Sequence, residues 1–273
     1  MPVDPLLRSL HIDLPTQPAA LVRLSALLSQ DSGSLQEVGA LIESDMALAA
    51  AVLKAVNSSL YGLNGRVQTV RQAITYLGTR EIGAITYEMG LRAVFPAAPE
   101  LEPVWQRASQ RGLLMGRMGE ALNVDPWMAH SAGLFEECGK AVLFRHAPVR
   151  YLPLLMGAQD DAELLYLEHR EYGVSHDALG AALCESWGLA ASAAHCVRHH
   201  VQVQTTRVLP PLLQRPAICA LSVLVHALMT DPLSLEDVAA AIAPQARLDL
   251  TLVLRGVRHV HDQMQATRGR AAA

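Results

Sequence analysis

The chain has 273 residues and a net charge of −4, with 51% hydrophobic and 18% charged residues. That composition excludes a disordered chain and a generic basic nucleic-acid binder, and it is enough for one large or two small domains with a substantial core. The positive charge is almost all arginine, because lysine occurs only as Lys54 and Lys140.

The opening segment, "MPVDPLLRSLHIDLP", has no basic stretch followed by an apolar run, so no signal peptide is expected. Nearly every later segment has helical period. Ser34 to Glu37 reads as a capping box, with Val38, Leu41 and Ile42 following on one face. A second start falls at Ser44-Asp45, with Leu48, Val52, Leu53 and Val56 as its apolar stripe. Asn57-Ser58-Ser59 and Gly62 are expected to end that helix. Thr69 can cap the next, which Gly78 closes, and Thr79 starts another running to Phe95.

Pro96, Pro99 and Pro103 then mark a boundary between two helical halves. Helix resumes over Trp105 to Leu122. Asp125-Pro126 is an N-cap followed by a first-turn proline, and it opens the helix that contains "AGLFEECGKAVL", residues 132–143. Asp160 or Asp161 starts a helix ending near Gly173. Ser175 is expected to cap His176 to Trp187, and Ala190 to Val201 carries a histidine cluster. After "LPPLLQRP" come three helical pieces, near 217–229, 235–242 and 246–266, and a tail, "ATRGRAAA", expected to fray. The fold class is all-α. The longest apolar run, near "ICALSVLVHALM", is too short to span a bilayer, so a soluble, cytoplasmic protein is expected.

Cys138, Cys184, Cys196 and Cys219 form no CxxC pair and sit in apolar helical contexts, which predicts buried reduced thiols. His195 and His199 are spaced i, i+4 on one helical face, and His200 is turned about 100° from His199. Such a pair can chelate a metal, but the spacing alone is weak evidence. Serine nucleophile motifs and Gly-rich phosphate loops are absent. The aromatic content of 4% leaves no stacking platform for single-stranded nucleic acid. Arg23, Arg66, Arg71 and Arg80 crowd the first half and could bind an acidic partner or a nucleotide, though scattered solvated charges are the commoner case.

Several segments in order resemble the HDOD family, a branch of the HD phosphohydrolase superfamily found in bacterial signalling proteins. They are "DLPTQPAALVRLSALL", "ALIESDMALAAAVLKAVNSSLYG", "VQTVRQAITYLGTREIGAI", and "EYGVSHDALGAALCESWGL" followed by "HCVRHH". The resemblance covers about residues 12–203. It implies a compact HD-like bundle with an N-terminal half at 12–95 and an HD-like half at 104–203. Residues 204–273 would form a C-terminal helical extension packing on the HD-like half.

The stretch "AGLFEECGK" falls where the superfamily has Ala-Gly-Leu-Leu-His-Asp-Ile-Gly-Lys, so the His-Asp pair maps onto Glu136 and Glu137. The first histidine of the ligand set is also missing. "VWQRASQRG" offers Arg107, Ala108 and Ser109 in its neighbourhood, and no aspartate lies between Asp177 and Asp231. His176, His199 and His200 match further histidines of related HD hydrolases. The resemblance therefore implies a non-catalytic regulator with no cofactor and no metal. It would act on signalling protein partners or sense a small ligand, and the charge, aromatic content and short apolar runs predict neither nucleic-acid nor membrane binding. Glu136 and Glu137 either accept hydrogen bonds from His or Arg in a vestigial pocket that includes His176, His199 and His200, or face solvent. Two rival functions remain: a metal-dependent phosphohydrolase with an altered site, and a cyclic-dinucleotide sensor.

Overall fold

The structure is a computed structural model. It describes residues 12–29, 35–58, 60, 61, 63, 65–211 and 213–272. Ser34, Ser59 and Gly62, which figure in the expected capping box and helix end, lie outside the described residues. Among the described residues there is helix and no strand. The chain divides into two compact units. One gathers Gln17–Val94 with Val260–Ala273, and the other gathers the chain through Thr16 with Phe95–His259.

The first unit contains α1 (Ala19–Ser29), α2 (Leu35–Glu43), α3 (Met46–Val56), α4 (Val70–Leu77) and α5 (Thr79–Arg92). Helix α5 is its hub and packs against α1, α2, α3 and α4. Ile82, Ile85, Tyr87 and Leu91 are buried there. Local chemistry sets the helix starts. The Asp45 carboxylate accepts from the Ala47 and Leu48 amides at 2.9 and 3.1 Å. The Thr69 hydroxyl accepts from the Gln72 amide, and the Gln72 side chain accepts from the Thr69 amide in return, a closed capping box. Arg23, Arg66, Arg71 and Arg80 are all exposed.

Asn57 does more than close α3. Its side-chain amide donates to the Leu53 and Val67 carbonyls at 3.0 and 2.7 Å, and its oxygen accepts from the Val67 amide at 3.1 Å. One side chain thus ties the chain entering the loop to the chain leaving it. Asn57→Ala leaves these backbone groups without partners. It is expected to cost about 1–3 kcal/mol, read as a lowered midpoint in urea with an unchanged slope.

The second unit contains α6 (Glu102–Ala121), α7 (Pro126–His146), α8 (Pro148–Gly157), α9 (Asp161–Tyr172), α10 (His176–Ser186), α11 (Ala191–Thr206), α12 (Pro216–Thr230) and α13 (Leu235–Ile242). It also contains the first part of α14 (Leu250–Ala272). Helix α14 continues to Ala272 through the tail expected to fray, in keeping with the strong helix propensity of alanine and arginine. Helix α8 was not evident in the sequence, because Pro153 interrupts its pattern.

Helix α7 is the axis of this unit. Asp125 accepts from the Met128 amide at 3.0 Å and Pro126 occupies the first turn. Every residue from Met128 to Phe144 is buried. A helix buried all round needs neighbours on every side, and α6, α8, α10, α11 and α12 provide them. Two of these contacts rely on missing side chains. A Cβ at Gly139 would overlap the His176 carbonyl oxygen and stand 2.6 Å from its carbon. A Cβ at Gly180 would stand 2.8 Å from the Phe135 carbonyl oxygen. Glycine at both positions brings the start of α10 against the middle of α7, where the site lies.

Trp187 at the end of α10 donates its indole N–H to the Pro15 carbonyl at 2.8 Å. The four cysteines are buried, reduced thiols.

Candidate functional site

Glu136 and Glu137 are adjacent within the buried span of α7, and neither faces solvent. An unpaired buried carboxylate is costly, so both must be compensated within the protein. Helix α6 supplies the compensation from two arginines one turn apart. Arg111, only 4% exposed, places one terminal nitrogen 2.9 Å from Glu136 Oε2 and the other 3.4 Å from Glu137 Oε1. A single guanidinium therefore bridges the pair, using the planar fork suited to two acceptors. Arg107, half exposed, donates its Nε to Glu137 Oε2 at 3.2 Å.

Further partners converge on the two carboxylates. Gln204 on α11 donates to Glu136 Oε2 at 3.0 Å and to the Ser222 hydroxyl at 2.9 Å. The Cys196 thiol donates to Glu136 Oε1 at 3.7 Å. Lys140, wholly buried, holds Glu137 Oε2 at 2.8 Å and Asp161 Oδ1 at 2.7 Å. Asp160 and Asp161 divide two tasks. Asp160 caps α9 by accepting from the Glu163 amide, leaving Asp161 to reach Lys140.

The charges reinforce one another. Burial opposes ionisation of Arg111, yet Glu136 and then Glu137 hold its pKa above the ordinary arginine value. Burial favours the neutral form of Glu137, but Lys140, with Arg107 and Arg111 behind it, holds the carboxyl down at about 2. Asp161 is likewise opposed by burial and held below the usual carboxylate range, chiefly by Lys140. Both acids have folded pKa values below their unfolded ones, so their stabilisation is complete above the unfolded values and fades as pH falls. The urea midpoint is therefore expected to decline from about pH 5 toward pH 2. A midpoint that held steady across that window would contradict this network.

A second cluster lies beside the first. His176 opens α10. Its ring Nδ1 and its backbone N–H both lie 2.7 Å from Glu168 Oε2, and the Tyr151 hydroxyl donates to Glu168 Oε1 at 2.6 Å. The His200 Nδ1 lies 2.7 Å from the Val197 carbonyl, and the two imidazoles meet edge to face with centroids 5.4 Å apart. Burial lowers the pKa of His200, which favours the neutral ring. His199 is on a different face of α11, partly buried, and is not part of this cluster; His195 is exposed. Ser175 sits at the N-cap of α10, but its hydroxyl donates to the Asp177 carboxylate and makes no cap bond. Asp177 instead accepts from the Ala178 amide at 2.7 Å.

Of the residues singled out in the sequence, the structure brings together Glu136, Glu137, His176 and His200, and leaves out His199. Sequence reasoning missed Arg111, Asp161, Glu168 and Gln204. Only Arg111 left a signal, its i, i+4 spacing from Arg107 on one helical face.

The model of the HDOD domain matches residues 14–203. The chain belongs to the HDOD family. Among solved HDOD-like folds, a domain protein of unknown function from Geobacter sulfurreducens aligns over 96% of this chain and 94% of its own, with a TM-score of 0.69 and 19% identity. A proposed phosphohydrolase from Shewanella amazonensis SB2B aligns over 97% of both chains, with a TM-score of 0.69 and 17% identity. A proposed signal transduction protein from Marinobacter aquaeolei VT8 aligns over the whole of this chain and 62% of its own, with a TM-score of 0.70 and 21% identity. At these identities the likeness establishes the fold. An uncharacterized protein from Treponema pallidum (strain Nichols) is 26% identical over 192 residues, which is 69% of this chain and 37% of that relative. The HDOD chain thus matches little more than a third of the relative's length. Among its described residues, no helix is long and apolar enough to cross a membrane.

The HD superfamily's metal does not fit at Glu136 and Glu137. A cation there needs carboxylate and imidazole donors with an open position. In this HDOD protein both carboxylates are already held by Arg111, Arg107 and Lys140. A divalent ion on the same oxygens would meet those positive charges at close range.

Proposed function

We propose that this HDOD protein is a non-catalytic regulator, acting through signalling partners or a sensed ligand. The observation that carries the reading is the Arg111 guanidinium bridging Glu136 and Glu137, with Lys140 on the far side of Glu137. At the position where the superfamily's His-Asp pair activates water through a metal, this chain has internal ion pairs. Fixed cations neutralise the glutamates but offer no coordination position on which a water or a phosphoester could bind. The description of the Marinobacter relative as a proposed signal transduction protein agrees with a regulatory role.

Hydrolysis assays test this directly. The purified chain, supplied in turn with Mn2+, Fe2+ and Mg2+, is expected to give no turnover of bis-p-nitrophenyl phosphate or cyclic dinucleotides above blank. Turnover that Glu136→Gln abolishes would overturn the reading.

A further inference from the structure

The geometry points to a binding site for one divalent transition-metal ion, formed by Asp161, His176 and His200 and separate from the glutamate pair. One ring nitrogen of each histidine and a carboxylate oxygen of Asp161 all lie within 4.8 Å of one another. The hydrogen bonds show which ring nitrogens are available to a metal. The Val197 carbonyl can only accept, so His200 Nδ1 carries the proton. Glu168 accepts at His176 Nδ1, so that nitrogen is also protonated. With Nδ1 engaged on both rings, Nε2 is the atom each has left for a metal. Both Nε2 atoms are buried without a hydrogen-bond partner.

Two buried ring nitrogens left without partners are a cost that hydrogen bonding does not relieve. A metal ion relieves it. The arrangement also has the outer contacts that metal-binding histidines use: a carboxylate behind one ring and a backbone carbonyl behind the other, fixing tautomer and orientation. Tyr151 holds the carboxylate in its turn. Imidazole and carboxylate together suit zinc, iron or cobalt and not magnesium. Donors around a tetrahedral zinc stand about 3.4 Å apart, so small side-chain rotations close the set.

The charge balance agrees. Around the cluster, Glu136, Glu137, Glu168 and Asp161 face only two wholly or nearly buried cations, Arg111 and Lys140. Arg107 is 44% exposed and shares its charge with solvent. Carboxylates thus outnumber buried cations around the cluster, a setting that favours a divalent ion. Lys140 occupies Oδ1 of Asp161, so a metal there would take the other carboxylate oxygen.

The proposal concerns binding and does not depend on whether the chain turns over a phosphoester, so the hydrolysis assays and the test here can fail separately. The full chain, stripped with chelator and kept reduced, is titrated with Zn2+ and with Co2+. One equivalent of each should bind, with cobalt giving visible bands of a four- or five-coordinate nitrogen and oxygen site and no thiolate charge-transfer band. Excess Mg2+ should not compete. His176→Ala and His200→Ala should weaken zinc at least about 100-fold, and Glu168→Gln about 10–100-fold by releasing the His176 ring. His195→Ala and His199→Ala should bind as the parent does. Circular dichroism of the metal-free variants checks folding. If an alanine variant fails to fold, Glu168→Gln and the cobalt spectrum of the parent chain still decide. Absence of stoichiometric binding at micromolar metal, a thiolate spectrum, or undiminished binding in a folded His200→Ala variant would each overturn the site.

Discussion

Gly139→Ala is expected to destabilise the second unit by at least about 4 kcal/mol, enough to leave much of it unfolded at 37 °C. The new methyl would lie inside the His176 carbonyl, and its neighbours there are backbone atoms. No rotamer change can clear them, so α7 and α10 would have to move apart. That separation would also shift His176 off Glu168 and open the packing around Phe135 and Gly180. Thermal unfolding followed by circular dichroism would read the loss. As a comparison, Gly157→Ala should be close to neutral, because nothing lies within 4 Å of a Cβ there. Equal stability of the two variants would show that the close approach of α7 and α10 is not real.

The second large effect belongs to Arg111. Truncation to alanine removes the cation shared by two wholly buried carboxylates and is expected to cost about 3–5 kcal/mol. The loss comes mainly from the charges left behind, which gives a sharper test than the single variant. Adding Glu136→Gln to Arg111→Met removes the negative partner with the positive one, and the amide can still pair with Gln204. The double variant should recover at least about half of the loss, since a buried ion pair exchanged for neutral groups is often nearly isoenergetic. Denaturation midpoints of the two single variants and the double variant provide the cycle. Strict additivity would mean that Arg111 stabilises through its packed stem and not through the glutamates.

Much of the fold could be read from the sequence because its signals are local. The caps at Asp45, Thr69 and Asp125 depend on residues three positions apart, and the apolar stripes of α2, α3 and α4 on the helical period. The family pattern located Glu136 and Glu137 and gave Gly139 a place, but not its reason, which is a backbone 37 residues further along the chain. The site was legible only in part because its partners are tertiary. Nothing local separates Asp160 from Asp161, and only the docking of α9 beside Lys140 does so. The choice of His200 over His199 depends on the rotation of α11 about its axis, which adjacent letters cannot specify. Ser175 resembles a cap in sequence, but the Asp177 carboxylate two residues on takes its hydroxyl.

Lys140 has one further consequence, for chemistry at amines. The chain has two lysines; Lys54 is exposed on α3 and Lys140 is wholly buried. An amine-directed reagent acting on the folded protein therefore has a single lysine target, at Lys54. It reaches Lys140 only when α7 and α9 part. The rate at which a second lysine label appears is thus a clock for the opening of the site, and it can be read by mass spectrometry.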